Sequence, residues 1–476
     1  MGAMTSPQRL KTEALVLMLA LSPVACDPSD MDTSDPPPPG RGRGPGPGGG
    51  PPGAEIPADE LAPRVRELAA RFDVRPTPAA PEVDDAMWVL GQALAFDKIL
   101  SGNGDLSCMT CHHPSIGSDD DRSLPLGVGG EGLGSARTGG DIIPRNAPAL
   151  YNLHAYRTMF WDSRVERRDG ELATPAGALE GMLATLEGSG HGLVSAQALF
   201  PVTSREEMRG HPGENELADL DDDDVEGIWS ALMERLGATP GYPAMFEAAY
   251  PGEAFDAMTF AHAANAIAAF EVAAFESRGS PWERFLAGDD SAMSEAQLRG
   301  AAAFFGRGCA SCHRGVGLSD FRTHNIGMPQ FGPGKGDGPG GMDDFGREQV
   351  TGDHDDRWEF RTTPLTNVEF TGPYGHTGQF ATLRRHIEHY ADPEDSLLGY
   401  DITVEVSEEG LWGLFVDNAD GLLDELSPRL RDVRLRQDDP AIDELVVFMQ
   451  ALSDPDAHDL SSIVPESVPS GLPVRD

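Results

Sequence analysis

Two copies of one short pattern constrain this chain more than anything else in it: Cys108-Met-Thr-Cys111-His112 and Cys309-Ala-Ser-Cys312-His313. Two thiols three residues apart, followed at once by an imidazole, can bond to the two vinyl groups of a haem. The histidine is then held beneath the iron as its proximal ligand. A redox Cys-x-x-Cys needs a βαβ setting, which the neighbouring residues do not provide. A four-cysteine zinc site would have to join residue 111 to residue 309 and leave both histidines idle. The fold must therefore wrap two flat, largely apolar groups, one after each motif. The fifth cysteine, Cys26, stands apart, and an odd count excludes a fully paired disulfide framework.

Cys26 has a different setting. Arg9 and Lys11 precede the apolar run Ala14–Leu21, and Ser22-Pro23-Val24-Ala25 ends in a small residue. This is the order of an export signal, and the placement of Cys26 resembles a bacterial lipoprotein signal over residues 1–26. A myristoylation pattern at Met1-Gly2 with Ser6 is the weaker competing reading. Residues 27–60, nearly all Pro and Gly between Pro36 and Gly53, read as a disordered tether. Beyond residue 30 no apolar run approaches the ~20 residues of a membrane span. Asp+Glu outnumber Lys+Arg by 78 to 36, a formal charge of −42. That charge excludes a nucleic-acid binder working through a basic face and argues against docking on anionic lipid. The expectation is an exported protein of the bacterial periplasm or cell envelope, touching a membrane only through an N-terminal lipid.

The remaining 400 or so residues read as mainly α. Helical periodicity runs through 58–72, with Leu61, Val65, Leu68 and Ala69 on one side. It continues through 87–96, 260–275, 297–305, 381–390 and 442–452. The stretches 115–148 and 326–357, rich in Gly, Pro and Asp, read as loops. The acidic run Asp219–Asp224 reads as a solvated turn, since it lacks EF-hand spacing. Gly127-x-Gly129-x-x-Gly132 has no strand before it, so no dinucleotide site is expected there.

Several further motifs accompany the two Cys-x-x-Cys-His patterns in order. Leu90–Phe96 and Leu100-Ser-Gly-Asn-Gly precede the first, and Pro144-Arg-Asn-Ala-Pro148 and Phe160-Trp-Asp-Ser-Arg164 follow it. After the second come Arg361-Thr-Thr-Pro364 and Thr371-Gly-Pro-Tyr-Gly-His-Thr-Gly378. Over residues 85–455 the set resembles the bacterial di-haem cytochrome c peroxidase/MauG superfamily. The resemblance implies two cytochrome c-like helical domains, each enclosing one c-type haem, over 61–285 and 286–455, with a C-terminal tail over 456–476. It implies His112 on the peroxidatic haem, reached through Cys108 and Cys111. It implies His313 on the electron-transfer haem, reached through Cys309 and Cys312. Trp161 matches the tryptophan between the haems. Asn146, Thr371 and Pro373 match ligands of one Ca²⁺, all hard oxygen donors. Glu207, with Glu206 as competitor, matches the catalytic carboxylic acid. Glu171 stands where the family has a glutamine and would add a second acid.

Two departures bear on activity. Ordinary members cap the first haem with a histidine just before Arg-Asn-Ala-Pro, and 135–141 contains none. They ligate the second haem with methionine, whereas Tyr390 stands at the matching spacing after His376, as in MauG. His386, His389 and Met328 are the rival ligands. A phenolate favours the more oxidised iron. The first expectation is a peroxidase that reduces hydrogen peroxide with electrons from a cytochrome c or cupredoxin. The alternative is a MauG-like enzyme that uses peroxide to oxidise an aromatic residue of a partner protein. A non-catalytic electron carrier is the third reading, which the missing cap and Glu207 oppose.

Overall fold

The computed structural model describes residues 56–176, 179 and 181–475. The export signal with Cys26, and the tether up to residue 55, lie outside the described residues. Helices dominate, as the periodicity predicts. The strands are two to four residues long and pair antiparallel. Val165–Arg168 lies between Thr158–Met159 and Glu171–Ala173. Thr323–His324 pairs with Phe360–Arg361, and Gln330–Phe331 with Phe415–Val416. Such short strands fasten loops rather than form a core.

Two hydrophobic cores carry the fold, and each is built on a helix crossing that a glycine permits. In the first, helix Asp85–Phe96 crosses helix Phe260–Ala274. A Cβ on Gly91 would lie 1.9 Å from the Ala266 carbonyl oxygen, so only glycine allows this approach. The alanine-rich partner presents a smooth face and is buried from Phe260 to Val272. In the second core, helix Glu295–Gly306 crosses helix Ala441–Ala451. There a Cβ on Gly300 would lie 2.0 Å from the Glu444 carbonyl oxygen. The starts of the two glycine-bearing helices are fixed by caps: Asp84 accepts from the Ala86 N–H, and Ser294 with Gln297 forms a reciprocal pair. Helix Glu295–Gly306 runs almost directly into the second Cys-x-x-Cys-His motif, whereas the turn Lys98–Leu100 and its flanking loop separate helix Asp85–Phe96 from the first.

The cores interleave along the chain. Helix Ala58–Arg71 buries Leu61, Val65, Leu68 and Ala69, the face its periodicity predicts, but it packs into the second core with Trp282, Phe304 and Phe448. Val468, near the C-terminus, packs into the first. An apolar stripe shows which face is buried, not what it is buried against. The acidic run is a structural turn: Asp224 caps helix Val225–Ala238, and Asp222 takes Arg205 and Arg209.

Candidate functional site

Cys108–Cys111 forms a single helical turn, capped reciprocally by Ser107 and Thr110, and His112 follows as its last residue. Burial, with the carboxylates of Glu271 and Glu207, pushes the Cys108 thiol up to about 12, and Cys111 moves in the same direction. Such thiols are inert as redox thiolates. The two cysteine pairs also border different cores, which leaves no four-cysteine zinc site. Burial pushes His112 down to about 4, so its imidazole is neutral and able to ligate a metal.

Glu207 is carried by one wide π-type turn, Arg205–Arg209, a form that recurs at functional sites. Asp222 holds both ends of that turn through Arg205 and Arg209. The Gly127 loop presses against it: the Val128 N–H donates to the Glu206 carbonyl at 3.0 Å. A Cβ on Gly127 would sit 1.8 Å from that oxygen. Burial raises the Glu207 carboxyl above the usual range, with Arg164 and Lys335 opposing and Glu206 assisting. Its charge helps to raise both the Cys108 and the Cys111 thiol. Glu206 is exposed, so Glu207 is the acid of the pair that this setting singles out. Arg164 lies over the Phe160 ring at 3.5 Å. Glu171 is exposed on an edge strand opposite Arg168, and the structure does not bring it into this buried group.

The stretch without a histidine is held by Arg137. This buried side chain donates to the carbonyls of Leu126, Gly127 and Gly132. A histidine beside it, His211, is part-exposed and bound to Asp141 at 2.5 Å.

The second motif opens onto a large cavity. Cys309, Cys312, His313, Tyr390, His386 and Met328 all line it. His313 Nδ1 lies 3.1 Å from the Leu318 carbonyl oxygen and donates to it, which leaves the Nε2 lone pair free for a metal. Of the rival ligands, His389 has both nitrogens engaged, with Ser396 at 2.9 Å and Ile326 at 2.7 Å. His386 and Met328 share the wall with Tyr390. Burial pushes the Tyr390 phenol upward, so the hydroxyl keeps its proton at neutral pH unless a cation takes its place.

Two further residues lining this cavity carry no local signal in the sequence. Arg361 is 5% exposed and its Nη1 has no partner. His324 Nε2 is also buried without a hydrogen bond. Burial alone would lower His324, but Asp320 and Cys312, which converge on it, carry it up to about 9. Arg361, a buried cation with one nitrogen unpartnered, suits a group that brings carboxylates of its own. Together with the Cys-x-x-Cys-His spacing and the apolar cavity, it fits a haem.

Trp161 lines the cavity onto which the second motif opens. Its Nε1 donates to the Asn146 carbonyl at 2.9 Å, and its ring meets His376 edge-on with centroids 6.4 Å apart. His376 stacks on Phe360 at 3.6 Å. Asn146, Thr371 and Pro373 line the same cavity as Trp161. The Asn146 amide Nδ2 donates to the Arg122 carbonyl at 2.9 Å, which leaves Oδ1 free as an acceptor. Arg145, bound to Asp162 at 2.5 Å and Asp344 at 2.7 Å, ties the Trp161 segment to the second loop region.

Comparison with known proteins agrees with this geometry. The family described as di-haem cytochrome c peroxidase matches residues 85–291. The methylamine utilization protein MauG of Methylorubrum extorquens is 32% identical over 345 residues, 71% of this chain and 78% of that protein. The cytochrome c551 peroxidase of Pseudomonas aeruginosa is 30% identical over 295 residues, 62% of this chain and 68% of that protein. Among solved structures, a MauG-like protein associated with microbial copper homeostasis aligns with a TM-score of 0.55 and 25% identity. The alignment covers 80% of this chain and 94% of that one. The diheme peroxidase BthA from Burkholderia thailandensis shares the fold, with a TM-score of 0.54 and 19% identity over 83% and 91% of the two chains.

Proposed function

Because the chain belongs to the di-haem cytochrome c peroxidase family that includes MauG, we propose that hydrogen peroxide is reduced at the first motif, with Glu207 as its proton-moving acid. The protein is an oxidoreductase of that family with two c-type haems. The observation that carries the residue assignment is the half-buried Glu207 carboxyl, which desolvation raises and whose charge is felt by both Cys108 and Cys111.

His112 would hold the first haem iron, and His313 with Tyr390 the second; the bound haems supply the electrons that part the two oxygens. The chain's own residues do the rest. Glu207 takes the proton from the inner oxygen of peroxide and delivers it to the outer one, which leaves as water. Arg164 and Lys335 hold down the charge that this shuttle exposes. Trp161 lies on the route by which electrons pass between the two sites. Asn146 Oδ1 and the carbonyls of Thr371 and Pro373 would bind one Ca²⁺ there. Each core would enclose one haem, the N-terminal motif in the first and the C-terminal motif in the second. Glu171 has no role in this scheme, because it lacks the burial that a proton shuttle needs. The remaining context is an exported protein, anchored by lipid at Cys26, in the periplasm or cell envelope.

A MauG-like reading is favoured by one observation, that Tyr390 faces the same cavity as His313. In that reading both sites hold oxidising equivalents, and an aromatic residue of a partner protein is oxidised at a distance.

The test is peroxide consumption by the haem-loaded protein, supplied with a reduced cytochrome or a small reducing dye. Glu207→Gln should lower kcat/KM for peroxide by ~10²–10³ with unchanged haem content, while Glu206→Gln should not. A Glu207→Gln variant as active as the parent would remove Glu207 from the scheme. Oxidation of a partner protein, without turnover of any reductant, would favour the second reading.

A further inference from the structure

Trp358 borders the second cavity and the protein surface at once. It is 6% exposed and lines the cavity with Leu422. It holds φ at +62°, a strained value for a bulky residue, of the kind found where position matters. On its outer side it meets Phe345 edge-on at 4.7 Å. Its indole edge lies 3.6 Å from where a Cβ on Gly421 would sit, and Gly421 is exposed. Its indole N–H makes no hydrogen bond among the described residues, unlike those of Trp161, Trp229 and Trp412.

The surface around it is acidic. The turn His354–Asp356 and helix Ala419–Asp424 flank it and present Asp353, Asp355, Asp356, Asp420, Asp424 and Glu425. The two elements meet where His354 lies 3.6 Å from Glu425. Arg357, next to Trp358 in the chain, is already bound by Glu348 at 2.5 Å. A surface rich in carboxylates beside a nearly buried indole fits a partner that is basic and exchanges single electrons.

We propose that this face docks a small, basic, one-electron donor protein, and that Trp358 conducts its electrons into the second cavity. The proposal rests on the peroxidase reading above. Each peroxide takes up two electrons and two protons to give two waters. Two donor molecules therefore dock in turn, each losing one electron.

The experiment uses the haem-loaded protein with a reduced basic cytochrome c as probe, and a small reducing dye as control. The readout is the ratio of cytochrome-driven to dye-driven peroxide turnover. Trp358→Phe should lower that ratio ~10-fold or more. Asp420→Lys with Asp424→Lys should raise KM for the cytochrome ~10-fold at low salt, leave kcat in place, and flatten the salt dependence. An unchanged ratio in Trp358→Phe with full haem content overturns the conduction step. An unchanged KM in the charge-reversed variant overturns the docking face, and that variant decides the matter if Trp358→Phe fails to load haem. Dye-driven turnover in the parent without any cytochrome-driven turnover overturns the proposal while leaving the peroxidase reading intact. Absence of both removes the peroxidase reading itself.

Discussion

Glu271 sits in helix Phe260–Ala274 with one carboxyl oxygen buried and unpartnered, and burial pushes it up to about 8. The unfolded chain gives up that proton near pH 4.5, the folded chain near 8. Between those values the folded state binds more protons, so stability falls as pH rises through the window. Glu271→Gln should therefore raise Tm at pH 8.5 by several degrees and leave it unchanged at pH 4, read by thermal melts of the haem-loaded protein. Equal effects at both pH values would mean that Glu271 is already ionised at neutral pH. Tyr390 allows a second prediction at this scale. Tyr390→Met should raise the reduction potential of the second haem in a redox titration, because thioether favours reduced iron where phenolate favours oxidised iron. An unmoved potential would point to His386 or Met328. The two Cys-x-x-Cys-His sets were legible from their spacing, and Trp161 and Tyr390 were picked out by resemblance and line one cavity with the second set. Arg361 and His324 were not, because nothing local distinguishes a charged side chain that lines a cavity from one on the surface. Glu171 shows the converse: its position in a motif did not reveal that it lies on an exposed strand.

At the scale of elements, the two glycine crossings set the architecture. Replacing Gly300 by alanine puts a Cβ 2.0 Å from the Glu444 carbonyl oxygen, a backbone atom that cannot swing aside. The helices must separate, at a cost of ~3 kcal/mol and a fall in Tm of roughly 6–12 °C. Gly91→Ala should act likewise in the first core. Alanine variants with parental Tm and haem content would contradict the crossing as drawn. The helices themselves were readable, since apolar positions every three or four residues bury as they should. What each packs against was not, as helix Ala58–Arg71 shows by joining the second core. The wide turn under Glu207 also escaped, because Arg-Glu-Glu-Met-Arg carries no signal that separates it from an ordinary helical turn.

For the whole molecule, the charge of −42 and the missing histidine have consequences that reach beyond any one site. The charge makes association with a basic partner fast and salt-sensitive. The segment 135–141, held by buried Arg137, brings no imidazole to the first motif, and His211 beside it is occupied by Asp141. The first haem should then be open at rest, with no reductive activation. The most direct measurement takes the fully ferric, haem-loaded protein and records its EPR and absorption spectra before and after one equivalent of hydrogen peroxide. One high-spin and one low-spin haem at rest, both changing immediately on addition, is the predicted result. Two low-spin haems that stay inert until one electron is supplied would contradict it, and would mean that a side chain closes the first site after all.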